Sequence, residues 1–316
     1  MSFDPLIAEI SLDNVSGSQE LTRRTGQLVL RLLDEEKGSS AGDVKNTLLD
    51  LARQILKSHP VMASLLNLFD RILSQFDEAT DLRVATHSAQ TIIQSFLREM
   101  DEHNGAISAH LFDLMAEETV IITHSASGSV REALCHNWRA GKRFSVICTE
   151  SRPACEGTLL SRHLADQGIP TSLTTEALSF SLLNHPALRK GMSMMVLVGA
   201  DSISPQGVVN KADTLGLAVA AWNWSVPFYV LAGSEKLLPE SFPLKDAIQE
   251  KPPEEILSPI PPGLNIINRY FDITPLSYIR GIIIERGILS PQEIEVELGN
   301  LTAHSDLVEA LNKERP

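Results

Sequence analysis

The chain has 316 residues, 43% of them hydrophobic, and a formal net charge of −13. That is enough apolar material for a real core in one large or two ordinary domains, while the longest apolar runs, such as MMVLVGA, fall far short of the roughly twenty residues a spanning helix needs. The acidic balance argues against direct nucleic-acid binding, because such a surface carries a basic face that displaces phosphate counterions.

The opening MSFDPLIAEI has no basic stretch leading into an apolar one, so a cytoplasmic location is expected. Up to residue 115, apolar residues recur at helical spacing: Leu21, Leu28 and Leu32; Val44, Leu48, Leu51 and Ile55; Met62, Leu66, Phe69 and Leu73; Ile92, Phe96 and Met100. A helical N-terminal domain over 1–115 is predicted. Ser16 with Gln19 has the spacing of a capping box, Gly38 follows a helix, and Pro60 suits the first turn of another.

From 116 to 316 the pattern becomes strand and helix in alternation. TVIITH, RFSVICTE, PTSLTTE, MMVLVGAD and PFYVLAG are β-rich runs separated by segments long enough to be crossover helices. Ser129 and Glu132 are spaced as a capping box after the first run, and Gly141 and Gly168 stand where helices should stop. The α/β prediction is therefore a helical N-terminal domain followed by a Rossmann-like parallel-sheet domain buried on both faces. KPPEEILSPIPPG interrupts this second domain without ending it, and Thr-Pro and Ser-Pro-x-Glu signals beyond it mark two more helix starts.

Ligands of open parallel sheets bind beyond the carboxyl ends of the strands. That rule selects His124 to Gly128, Glu150 to Pro153, Ala200 with Asp201, and Gly233 to Lys236. In VVNKAD, Asn210 can cap a helix beginning at Lys211, whose free amides would face an anion. Arg152, Lys211 and Lys236 together would make an anion pocket in an acidic protein. Each residue also has an ordinary structural use: Asn210 as a plain cap, Arg152 as an ion-pair partner, Lys236 as a surface lysine, Asp201 as a turn former. His124 and Ser125 do not make a serine hydrolase, since the GxSxG elbow is absent and adjacent extended residues point to opposite faces. Cys135, Cys148 and Cys155 lack CxxC spacing and the nine histidines form no HExxH pair, so neither a disulfide framework, a metal nor a cofactor is expected. Trp222, Trp224 and the run from Met192 to Met195 are expected in the core or an interface.

The ordered blocks THSxS, ESRPxxEG, VGADSISPQGVVNK, PFYVLAGSEK and FDITPLSYI resemble the superfamily of the regulatory alpha, beta and delta subunits of translation initiation factor 2B. That superfamily also holds 5-methylthioribose-1-phosphate isomerase and ribose-1,5-bisphosphate isomerase. The resemblance implies dimers or higher oligomers formed through the second domain, with other subunits of the family as further partners. It also implies a phosphorylated sugar or nucleotide as ligand, contacted by Ser127, Arg152, Asn210, Lys211 and Lys236.

The isomerases of this group use a cysteine and an aspartate, and the matching positions here are Ser125 and Asp201. A hydroxyl ionises far less readily than a thiol, so this replacement removes the natural proton carrier. Gly128 stands where the ribose-bisphosphate enzymes have a lysine, His59 where they have an arginine, and SGSQ at residues 16–19 is a reduced form of a glycine-rich phosphate loop. These departures imply a binding or regulatory protein with a retained anion pocket. The alternative is an aldose-ketose isomerase in which Asp201 is the acid or base.

Overall fold

The computed structural model describes residues 3–35, 40–77, 81–189, 192–242 and 248–312. Helices α1 (Asp4–Leu12), α2 (Ser18–Glu35), α3 (Ala41–Ser58), α4 (Ala63–Leu73) and α5 (Leu82–Leu114) come first. Their apolar stripes bury Leu21, Leu28, Val44, Leu48, Phe69 and Phe96 in one core. On α5 the buried phase passes through Ile93, with Ile92 only partly covered, because Ala89, Ile93, Phe96 and Met100 make the continuous stripe. At 1.5 Å per residue, the 33 residues of α5 reach about 50 Å. Its first half packs among the other helices, while Ile107 and Leu111 pack against the sheet of the second half.

Two expected helix starts are displaced. Helix α2 begins at Ser18, and the Ser16 amide is taken by Asp13 Oδ1 at 2.8 Å, so Ser16 and Gln19 form no capping box. Pro60 lies in a turn ahead of α4, which starts at Ala63. Gly38 lies outside the described residues.

The second half alternates as anticipated. The order is β1 (Thr119–Thr123), α6 (Gly128–Arg139), β2 (Phe144–Thr149), α7 (Glu156–Asp166), β3 (Thr171–Thr174), α8 (Glu176–Leu183), α9 (Pro186–Arg189) and β4 (Met194–Val198). It continues with β5 (Ser202–Ser204), β6 (Gly207–Lys211), α10 (Thr214–Asn223), β7 (Phe228–Leu231), β8 (Phe271–Thr274), β9 (Gly281–Ile284), β10 (Gly287–Leu289), α11 (Pro291–Gly299) and α12 (Ser305–Asn312). The main sheet has seven strands in the order β10-β9-β7-β4-β1-β2-β3, parallel except for β10. Without the antiparallel edge, this is the strand order of a doubly wound nucleotide-fold sheet, reversing direction between β1 and β4.

Alternation along the central strands feeds two cores. Val120, Ile122, Val196 and Val198 face α8, α10 and α11, whereas Ile121, Met195 and Leu197 face α5, α6 and α7. Helix α12 returns across the molecule and adds Leu307 to the core of the first five helices.

Three local expectations change. The cap of α6 is Ser127, whose hydroxyl accepts from the Val130 amide, and Ser129 lies inside the helix. VVNK is not a helix start but strand β6, paired with β5 and β8 in a small antiparallel sheet; its β-branched residues favour that conformation. Thr274-Pro275 opens only a 3₁₀ turn, Leu276–Tyr278, between two strands, while Ser290 and Glu293 do form the capping box of α11.

Gly157, in the first turn of α7, shows how closely helix and strand meet: a Cβ there would overlap the Thr149 carbonyl oxygen. Neither backbone can yield cheaply. Gly157→Ala is therefore expected to cost roughly 1–3 kcal/mol, the range for an overpacked site, read as a lowered urea midpoint with an unchanged slope.

Candidate functional site

The reversal between β1 and β4 is where a crevice must open, because the connections leaving those strands travel to opposite faces of the sheet. A cleft of about 650 Å³ lies there. Its wall includes Ser125 to Ser129 after β1, Ala200 and Asp201 after β4, Asn210 and Lys211 at the end of β6, and Lys236 after β7. The helical half supplies the facing wall with residues 16–20, Arg23, His59 and Asn104. The first residues of two long helices, α2 and α6, thus line one space. Helix N-termini present unpaired amides and the positive end of the helix dipole.

Lys236 is the most deeply set cation of this group, 2% exposed. Its Nζ donates to the hydroxyls of Ser18 and, at 3.4 Å, Ser64, so its hydrogen bonds run to neutral groups rather than to a carboxylate. Burial lowers its pKa, and the charges of Glu235 and Asp201 oppose that effect. It is not the ordinary surface lysine that sequence allowed. Asp201 is pushed in the opposite direction: burial raises its carboxyl above the usual range, against the pull of Lys236 and the Ser18 hydroxyl.

Lys211 is also buried, with its ammonium 2.8 Å from Glu156 Oε1 and 4.9 Å from the centre of the Tyr270 ring. Lys251 lies over the same ring at 5.1 Å. Ser125 has a left-handed backbone (φ 68°), its amide donates to Ser151 Oγ at 2.8 Å, and its hydroxyl donates to Glu156 Oε1 at 3.3 Å. The Glu156 Oε2 atom is buried and lacks a hydrogen-bond partner among the described residues. Ser127 lines the cleft while capping α6, and Gly199 is required beside it, since a Cβ there would overlap the serine hydroxyl.

Not every candidate residue is in this wall. Arg152 is exposed and outside the lining of the cleft. Asn210 lines it from a strand, donating to Thr214 Oγ1 at 3.0 Å, and does not cap a helix. The helix after it, α10, does not offer its N-terminal amides to a ligand, because Asp272 already accepts from the amides of Asp213 and Leu215. His124 is a buried structural residue bridging Thr149 Oγ1 and the Ala212 carbonyl. His59 likewise turns Nε2 to the Ile10 carbonyl at 2.8 Å, and burial holds its pKa below the usual value, so it supplies no lasting charge. The Gln19 carboxamide reaches the space that a side chain at position 128 would enter. Trp222 is 67% exposed, which places it at the surface rather than in the core.

Sequence reasoning passed over Glu156, Lys251 and Tyr270. Glu156 stands within the ESRPxxEG block, so its position carried a signal. Lys251 opens the proline-rich segment and Tyr270 follows it; the Glu250–Arg269 bridge and the Lys251 amide, which donates to the Asn268 carbonyl at 2.8 Å, close its neck and bring both to the cleft. Away from the cleft, Asp77, His304 and Asp306 bring ligand-type atoms together, and the Lys45 ammonium bonds to both of those carboxylates at 2.7 and 2.5 Å, supplying the positive charge there.

Known proteins share this fold. The model of the initiation factor 2 subunit family (IF-2B) matches residues 14–291. The chain belongs to that family. A Pyrococcus furiosus relative, named as translation initiation factor eIF-2B subunit 2-like, is 33% identical over 289 residues, covering 90% of this chain and 95% of its own. A ribose 1,5-bisphosphate isomerase from Methanocaldococcus jannaschii is 29% identical over 254 residues, 79% of each chain. Among solved structures, the Pyrococcus horikoshii OT3 translation initiation factor eIF-2B superposes with a TM-score of 0.76 at 31% identity, covering 91% of this chain and 96% of that one. The family therefore contains both factor-like and isomerase relatives, and they share this chain's fold. No helix among the described residues is long and apolar enough to cross a membrane.

Beside the cleft, Asp213 and Asp272 are both raised to about 6, chiefly by burial, with Glu176 adding to Asp213 and Asp213 to Asp272. A carboxyl whose pKa is higher folded than unfolded favours folding below its ordinary value near 3.8, and that contribution is lost as pH rises through 6. Asp213 makes no side-chain capping bond, and its left-handed backbone (φ 86°) suits asparagine. Asp213→Asn should therefore stabilise the protein at pH 7 relative to the parent, with the gain shrinking to nothing near pH 4. Paired urea titrations at the two pH values measure it.

Proposed function

We propose that the protein binds a phosphorylated sugar in this cleft and acts as a regulatory, factor-subunit-like member of its family. The observation that carries the reading is Lys236, a buried ammonium bonded to hydroxyls in a cleft lined by the starts of α2 and α6. A phosphate there gains a charge-assisted bond and amide donors together. Lys211 adds a second positive group, and the polar rim of serine, asparagine and glutamine suits sugar hydroxyls. A nucleotide fits less well. Of the two aromatic rings in the wall, Tyr270 already has two lysine ammonium groups over it, and Phe271 packs against the helical core. Ser125, bonded to Glu156, favours binding over chemistry, since a hydroxyl beside a carboxylate has no reason to ionise near neutrality.

A second reading, aldose-ketose isomerisation, is favoured by one observation: the raised pKa of Asp201 suits a group that takes a proton from one sugar carbon and returns it to the next. In that reading Lys211 and Lys236 hold the phosphate.

Assembly into a homodimer or larger oligomer through the unit comprising 116–316 accompanies either reading, as does pairing with other subunits of the family. It is supported by apolar side chains left at the surface of α8 and α10: Leu178, Phe180, Val219 and Trp222. Light scattering should give at least twice the 34.6 kDa chain mass, and Trp222→Glu should lower it.

Ribose 1,5-bisphosphate or methylthioribose 1-phosphate should raise the melting temperature by several degrees at saturating concentration, through binding to the native state alone. Ribose without phosphate should not. Lys211→Ala should weaken the shift and Lys236→Met should remove it, and a shift that survives both would put the ligand elsewhere. Incubation with the same sugars should leave them unconverted; turnover abolished by Asp201→Asn would establish the isomerase reading instead.

A further inference from the structure

An ammonium stripped of water needs negative charge as well as hydrogen-bond acceptors. The hydroxyls of Ser18 and Ser64 give Lys236 the acceptors. The charge comes from Glu235 and Asp201. Glu235 is itself only 3% exposed, and its Oε1 has no hydrogen-bond partner among the described residues. Its Oε2 meets Nδ1 of His103 at 2.9 Å.

His103 belongs to α5, between Met100 in the helical core and Ile107 in the sheet core, so its backbone is fixed from both sides. The turn that carries Glu235 and Lys236 is clamped as well. Asn67 Nδ2 donates to the carbonyls of Glu235 and Leu237, at 2.8 and 2.9 Å, bracketing Lys236, and the Ser234 amide donates to Glu285 at 3.0 Å. Gly233 leaves the room: a Cβ there would occupy the place of the Glu235 carboxylate.

We propose that His103 and Glu235 are positioning residues for Lys236, the imidazole pinning the carboxylate and the pinned carboxylate holding the ammonium charged in the cleft. The inference rests on Lys236 serving as an anion-binding group. The charged groups facing His103 are Glu235, Glu285 and, one turn back on α5, Glu99; Arg286 shares Glu285 at 2.8 Å. Burial works against a charged His103, but the Glu235 bond and the surrounding carboxylates outweigh it and hold the imidazole above its usual pKa.

The test is the titration of Lys236, followed by carbon NMR of protein labelled at lysine Cε, with the resonance assigned by its loss in Lys236→Arg. Glu235→Gln keeps the shape and the bond to His103 but deletes the charge; the ammonium should then titrate at least one pH unit lower, about a tenfold change in its proton affinity. Compared at pH values where the parent imidazole is neutral, so that loss of its own positive charge does not count, His103→Ala should move it in the same direction, and His103→Gln, which restores a donor, should recover much of the parent value. A merely structural role would lower the melting temperature in all of these variants without moving the titration. In parallel, the affinity for ribose 1,5-bisphosphate should fall about tenfold in His103→Ala if the charge is what binds it. A Lys236 titration unchanged in both Glu235→Gln and His103→Ala overturns the proposal. A parent protein that ignores the sugar bisphosphate while the titration still shifts overturns the anion-site reading and leaves the positioning role standing.

Discussion

The direction of the connections leaving β1 and β4 governs the rest of this molecule. One chain departs toward each face of the sheet, so the two strand ends cannot be covered by the same helix, and the gap between them is a geometric necessity. Into it come Ser125 from β1 and Asp201 from β4. The closing wall is brought by α2, whose first residue touches Lys236. The long helix α5 makes that arrangement rigid, since one uninterrupted element is packed into the helical core at one end and against the sheet at the other. Neither half can shift without disturbing the cleft between them.

The electrostatics of the cleft are a local exception to an acidic molecule. Most cations near its mouth are already matched: Arg23 pairs with Asp101 at 2.7 Å, Arg131 with Glu132 at 3.0 Å, and Lys211 with Glu156. The first two pairs are exposed and contribute little to stability, about 0–1 kcal/mol each, whereas the Lys211 pair is largely buried. Lys236 is different because it is both buried and bonded to neutral groups, so an incoming anion does not have to displace a carboxylate from it. The opposite displacements of the Asp201 and Lys236 pKa values share a cause, the loss of water from both charges in one enclosed place.

Much of this was legible in the sequence where the physics is local. The central parallel strands announced themselves as continuous apolar runs, because both faces of the sheet are covered there, whereas the edge strand β3 is mostly polar and is not buried. Ser125, Asp201 and Lys236 were found by looking just past the carboxyl ends of the strands, and all three line the cleft; Lys211 lines it too, though it was picked as the start of a helix. The same rule also selected Arg152, which lies outside, since a position after a strand fixes the level of a residue and not its direction. VVNK was misjudged because an asparagine before a helix usually caps it, whereas here the preceding valines already sit in a ladder with β5 and β8. His103 and Tyr270 were out of reach: their importance depends on contacts with residues dozens to more than a hundred positions away, which no local pattern encodes.

The serine at position 125 also decides how the cleft meets oxidants. Peroxide and electrophiles attack thiolates, and among the described residues no thiol lines this wall. Of the three cysteines, Cys135 and Cys148 are buried, and burial alone pushes Cys148 up to about 12, far from any reactive ionisation. A thiol at position 125 would open the same wall to sulfenic acid formation and alkylation. With a hydroxyl there, those two reactions find no thiolate at that position.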